Sequence, residues 1–518
     1  MNIHIKKLIP VLLVTLAVTS CTKRFDKINT NPGEITKAGS LELPFMFSGA
    51  ESGAAINRSY YQTVQNLYAD FYAQYFAQST NDFTTDRYVM HDGWLPRMGI
   101  ITYVQVVPQL RAIFDNTDST SGEHALASIL WVYAFDHMTD YFGPVPYFDA
   151  GKAQDTIAYD AQNLIYDDFF TRLDQAVTNL KKLGAGANVF GSYDLIYGGD
   201  VAQWIRFANT LRLRLALRIS EVDPQKAQQE AEAAVASGVM TDISQSAWIE
   251  KSLNGNDGNG LSQVAAYNAF SMSSTIYSYL KGYNDPRLGV YFQPAVTTGT
   301  FRSLRNGSST LALNNPLNQP AQTSNVGTYW VTRNGGSWVP QLVAPKPVLY
   351  AAEAYFLRAE GALNGWNMGG DAQSFYEKGI QTSMEQWGIT STTEINNYIH
   401  STSLPAAPDD EAGSAAVAAI PVKWASGESE ERQQIGTQKW LAIYPDALEA
   451  WAEFRRTGFP KMYPVLESDN PDLPAGTFIK RLPYPSQEYS NNLQQVEKGV
   501  ALLNGPDKVS TKLWWDVN

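Results

Sequence analysis

Cys21 is the residue whose chemistry is set most narrowly by its neighbours. It is the only cysteine among 518 residues, and the string Val18-Thr19-Ser20-Cys21 places it where a lipoprotein signal puts the thiol that is acylated. Lys6 and Lys7 precede an apolar run over 8–18, which is shorter than the roughly 20 residues a membrane-spanning helix needs and has the layout of an export signal. The expectation is a signal peptide over residues 1–20, lipid such as palmitate on Cys21, and an exported remainder of 21–518 tethered to a membrane. With no second cysteine there is no intrachain disulfide and no thiolate metal site.

Aromatic rings set among amides in loops are the second chemistry. A flat ring covers the apolar face of a sugar while nearby amides and acids bond its hydroxyls. The polar segment 78–94 offers Tyr88 and Trp94 as such rings, with Asn81 and Asp82 as hydrogen-bonding partners. The competing expectation is that Trp94, just before Pro96, packs under the loop. A second candidate cluster is Tyr329, Trp330, Arg333 and Trp338, which flank the turn Asn334-Gly335-Gly336 of a hairpin. Register decides its use. A three-residue loop puts Trp330 and Trp338 on one side as a shallow platform, whereas a two-residue loop puts them on opposite faces.

Catalytic signals are weak by comparison. His4, His91, His124, His137 and His400 are scattered, and no His-Glu-x-x-His helix, Gly-x-Ser-x-Gly elbow or phosphate loop occurs. The Asn254 to Gly258 stretch has Ala265 where a calcium loop needs its twelfth-position acid, so it reads as a solvated turn and no metal site or cofactor is expected. The rival reading is a glycoside hydrolase on a helical scaffold. It needs two carboxylates about 5.5 Å or about 6.5–9.5 Å apart, and nothing marks two of Asp82, Asp86 and Asp92 as partners.

The elements that must hold these loops read as mainly helical. Hydrophobic residues at 44% and charged residues at 17% are globular proportions, and a net charge of −12 repels nucleic acid. Tyr61, Val64, Tyr68, Phe71, Tyr72, Tyr75 and Phe76 recur three or four apart as one core stripe. A helix capped by Asp200 runs through Trp204, Leu211 and Leu215 to Asp223-Pro224, and others are expected over 225–236, 348–363, 372–387, 431–444 and 447–456. Short turns between them suggest tetratricopeptide-like hairpins. The stretches 254–260, rich in Asn and Gly, 301–338, rich in Asn, Ser, Thr and Gly, and 405–419, Ala-rich with an acidic patch, do not fit the helical pattern, and a loop region is expected at about 240–345.

Several strings resemble the SusD/RagB family of nutrient-binding outer-membrane lipoproteins. They are WIRFANTLRLRLALR from Trp204, Phe25-Asp26 with Ile28-Asn29-Thr30-Asn31-Pro32, YFGPVPY over 141–147, the helix around Tyr355 to Glu360, WAEFRRTGFP from Trp451 and RLPYPSQEYSNN from Arg481. The resemblance implies one domain of four helical hairpins supporting an irregular ligand-binding part. It also implies a non-enzymatic protein that captures oligosaccharides, or in some members peptides, and passes them to a SusC-type TonB-dependent transporter. In the family the region after an early helix contributes ligand contacts, which is where segment 78–94 stands. Trp204, Trp451 and Tyr484 lie in scaffold strings and are expected in the core. Thr22-Lys23-Arg24 departs from the acidic stretch that many surface-exposed members carry after the cysteine.

Overall fold

The computed structural model describes residues 39, 41–154, 156–184, 186–254, 257–474 and 476–518. Cys21, the signal segment and the 25–32 strings lie outside the described residues. The chain divides into two units, residues 1–43 and 44–518, and the second contains every element discussed below.

Eight helices form the scaffold in consecutive pairs: α1 (Gly122–Phe142) with α2 (Gln162–Leu183), α3 (Val201–Arg218) with α4 (Pro224–Ser237), α5 (Ala351–Leu363) with α6 (Ala372–Gln386), and α7 (Glu428–Ala442) with α8 (Ala447–Thr457). Neighbouring pairs are stitched together where α2 packs on α3, α3 on α5, and both α5 and α6 on α7. The hairpin architecture expected from the sequence is therefore present. Aspartate caps start several helices: Asp200 accepts from the backbone N–H of Ala202 and Gln203, Asp371 from Ser374 and Asp446 from Glu449. α8 ends at Gly458, which adopts φ +70°. α1 was not legible as a helix, because it is buried almost all round and has no polar face to set a period.

Several charged residues of the scaffold strings point inward. Arg214 and Arg218 of α3 are fully buried. Arg214 grips Glu353 of α5 at 2.8 and 2.6 Å, and Arg218 pairs with Glu449 and Glu453 of α8 and, at 3.1 Å, with Asp140 of α1. Lys439 of α7 reaches Glu449 and Glu453 at 3.1 Å, and Arg456 joins Glu360 at 2.7 Å to Glu453 at 2.8 Å. Five helices are thus tied by one paired ionic network, in which Arg214, Arg218, Lys439, Glu449 and Glu453 each have several partners. Trp204 and Trp451 are buried as expected, and Trp515 docks the C-terminal tail by donating to Asp140 at 2.8 Å.

The aromatic stripe of Tyr61 to Phe76 is buried in full, on a helical segment that is π-helical over Gln62–Ala69 and gives way to strand β1 (Phe76–Gln78). β1 pairs antiparallel with β3 (Phe270–Met272), and β2 (Ala247–Ile249) pairs with β6 (Lys346–Leu349). β4 (Val331–Asn334) and β5 (Ser337–Pro340) make the expected hairpin. Among the described residues no helix is long and apolar enough to cross a membrane.

Candidate functional site

β1 delivers the chain from the core stripe into segment 78–94, which folds back around one buried carboxylate. Asp86 accepts from Asn306 Nδ2 at 2.7 Å, from the Gly307 N–H at 3.0 Å and from the Gln78 N–H at 3.1 Å. Burial outweighs these donors and pushes its pKa up to about 6. Asn306 is itself fixed, donating to the carbonyls of Phe71 and Phe76 and accepting from Ser273 Oγ. Gly307 is required by geometry. Its φ is +74°, and a Cβ there would lie 2.6 Å from Val465 and 2.9 Å from the Glu467 carbonyl.

Around this anchor four loops converge. Arg87 donates to Asp469 at 2.7 Å, Asn470 donates to the Tyr88 carbonyl at 2.9 Å, and Asn81 donates to Asn314 Oδ1 at 2.9 Å. The acidic stretch within 405–419 closes the other side: Glu411 takes the side-chain amides of Asn315 and Asn318, and Arg302 pairs with Asp409 at 3.7 Å. Arg305 lies 4.4 Å over the Tyr463 ring and donates to Ser414 and to the Pro464 carbonyl. The result is a cleft of about 240 Å³ whose polar lining is Arg305, Ser308, Asn318, Asp410 and Glu411.

The expected rings are sorted by this packing. Trp94 is half-buried, stacked face to face on His91 with centroids 3.9 Å apart, and meets the edge of Phe83 at 5.6 Å. His91 is exposed, so the stack presents itself at the surface. Asn81 and Asp82 are exposed in the same loop. Tyr88 corrects the expectation of an exposed ring: it is 2% exposed, at φ +65°, with its ring against Tyr72. Its turn folds the side chain inward onto the core stripe.

The hairpin brings a second correction. Arg333 pairs with Trp338 and Thr332 with Val339, so the loop is the two residues Gly335-Gly336, both at positive φ. Trp330 and Trp338 therefore face opposite ways, and no shared platform forms. Trp330 is 0% exposed, against Tyr329, Trp387 and Tyr444 at 5.0, 5.3 and 5.6 Å. Trp338 is half-buried with the exposed Arg333 guanidinium 5.8 Å over its ring, and Tyr329 donates its hydroxyl to the Pro345 carbonyl. Among the described residues no hydrogen bond, ion pair or ring contact joins this hairpin to segment 78–94.

Sequence reasoning passed over Phe83, His91, Arg305, Asp410 and Glu411. Only the polar, acidic character of their loops hinted at them, since their partners come from distant parts of the chain. The loops offer a surface ring stack at His91 and Trp94 and a cleft rich in amides and charges, both suited to a hydroxyl-rich ligand.

Comparison with known proteins bears on whose site this is. Residues 28–516 match the family described as SusD-like, Susd and RagB outer membrane lipoprotein. The chain belongs to the SusD-like family. Similar solved structures include a chitin-binding SusD homolog from Flavobacterium johnsoniae, at TM-score 0.85 and 34% identity over 92% of this chain and 99% of that one. A SusD-like protein from Bacteroides thetaiotaomicron aligns at TM-score 0.82 and 31% identity, again over 92% and 99%. A further chitin-binding protein aligns at TM-score 0.76 and 28% identity over 92% and 100%. No curated protein matches the chain. SusD-like proteins are binding proteins rather than enzymes, and their glycan-binding members share the helical fold described above.

Proposed function

We propose that this SusD-like chain is a surface nutrient-binding lipoprotein that captures an oligosaccharide without cleaving it. In this reading residues 1–20 are removed, lipid on Cys21 holds the domain 21–518 at the outer membrane facing outward, and the glycan passes to a SusC-type TonB-dependent transporter. The observation that supports capture is the Trp94 and His91 stack at the surface of a loop face rich in amides. The chitin-binding character of two similar proteins makes β-linked N-acetylglucosamine chains the first ligand class to test. These chains are neutral, which suits a protein of net charge −12.

The test is calorimetric titration of the protein from residue 22 onward with chito-oligosaccharides and, in parallel, with short peptides, followed by chromatography of the ligand. Binding of intact saccharide at micromolar or weaker affinity is expected, because a surface stack buries few ligand atoms. Peptide binding alone would overturn the glycan assignment, and shortened saccharides would revive the hydrolase reading.

A further inference from the structure

A groove of about 540 Å³ begins at Leu95 and Pro96, the two residues that follow Trp94. One wall is the segment Ile100–Val106, which is π-helical, a rare conformation concentrated at functional sites. It turns Ile101 and Val106 into the core and leaves Val104 66% exposed. The opposite wall is the short helix Ser486–Asn491, reached through Tyr484 and Pro485. Tyr103, Tyr159 and Tyr484 contribute aromatic surface, while the exposed Gln154, Gln487 and Asn491 form a rim of amides.

Charge narrows the occupant. Among the described residues of the lining Glu488 is the only acidic or basic one, and its carboxylate accepts the Tyr159 hydroxyl at 2.8 Å. A groove with an apolar floor, amide donors and acceptors at its rim and one carboxylate held by a tyrosine hydroxyl matches a hydroxyl-bearing chain, not an anion. Its volume is in the range that encloses a ligand larger than one sugar ring. Resting on the capture reading above, we propose that this groove is an extension subsite: an oligosaccharide stacked at Trp94 continues along the π-helical wall, so affinity grows with chain length.

The experiment compares affinities for chito-oligosaccharides from disaccharide to hexasaccharide in the wild-type chain, in Val104→Glu, and in the double variant Gln487→Ala, Asn491→Ala. These side chains are exposed, and thermal unfolding confirms that each variant folds. The hexasaccharide is expected to bind the wild type at least about tenfold more tightly than the disaccharide, with the ratio falling to about one in both variants. A wild-type ratio near one, or a ratio unchanged in both variants, overturns the subsite while leaving capture at Trp94 intact. Absence of binding at every length overturns the capture reading itself. Variants that keep the length dependence but no longer co-purify with a co-expressed barrel transporter would make the groove a protein interface and refute the proposal.

Discussion

Trp94 and Trp330 are alike in sequence as loop tryptophans, and the structure gives them opposite responses to the same substitution. Trp330 is fully enclosed by Tyr329, Trp387 and Tyr444, so Trp330→Ala opens a large cavity between the hairpin and the scaffold. Such truncations cost about 3–5 kcal/mol, equivalent to a fall of more than a hundredfold in the folded-to-unfolded ratio. Trp94 gives up a stack on His91 and an edge contact with Phe83 at the surface, worth about 1 kcal/mol in total. Its removal from a stacked sugar ring costs about 1.4 kcal/mol, or about tenfold in affinity. Urea unfolding and calorimetric titration of the two variants separate these effects. The expected pattern is a large drop in midpoint for Trp330→Ala, and a near-native midpoint with weakened saccharide binding for Trp94→Ala. A Trp330→Ala protein of native stability that no longer binds, or a Trp94→Ala protein that binds as well as wild type, would refute the assignment.

Glu453→Gln should destabilise the fold by about 3–5 kcal/mol, because Arg218, Lys439 and Arg456 lose a shared counter-charge in the core. Burial raises the pKa of Glu453, but Arg456, Lys439 and Arg218 outweigh it and hold the group well below the ordinary 4.5. The excess stability of wild type over this variant should therefore be present above pH 4.5 and fade as pH falls through the depressed value, as read by denaturant midpoints across acid pH. Asp86 has the opposite sign. Its pKa is raised by burial from 3.8 to about 6, so the stability of wild type relative to Asp86→Asn should be greatest below pH 3.8 and decline by about 3 kcal/mol as pH rises through 6. A flat or rising difference would show that the three donors, not burial, govern this carboxylate.

The legible part of the fold is the part with local signals. Asp200 as a cap, the Asp223-Pro224 break and Gly458 as a stop fixed helix ends to within a few residues, and the Tyr61 to Phe76 stripe marked a core face that is buried in full. α1 lacked a polar face, so no period distinguished it. Asn334-Gly335-Gly336 announced a hairpin but left a two-residue or three-residue loop open, and the positive φ of both glycines is what selects the shorter one. The site was less legible because burial of a ring is decided by its partners. Trp330 sits in an Asn- and Gly-rich stretch that reads as exposed, yet Trp387 and Tyr444 cover it from far along the chain. Asp82, Asp86 and Asp92 look equivalent in sequence, and only the arrival of Asn306 and Gly307 singles out Asp86 as an anchor.

The strings that identify the family also explain why they do not identify the ligand. Arg214, Arg218, Glu360, Glu453 and Arg456 are charged residues within those strings that are spent on the buried network tying α1, α3, α5, α7 and α8 together. Their positions are constrained by pairing, since a buried charge left without its partner is strongly destabilising. The loop face is held by a separate set of contacts, through Asp86, Asn306 and Glu411, that touches this network nowhere among the described residues. Residues such as Asn81, Phe83 and Trp94 project from that second frame, so they can vary without disturbing the scaffold. A common helical frame can thus be kept while rings and amides on the loop face differ from one SusD-like protein to another, and on the reading proposed above the specificity of this chain lies at Trp94 and the surfaces beside it.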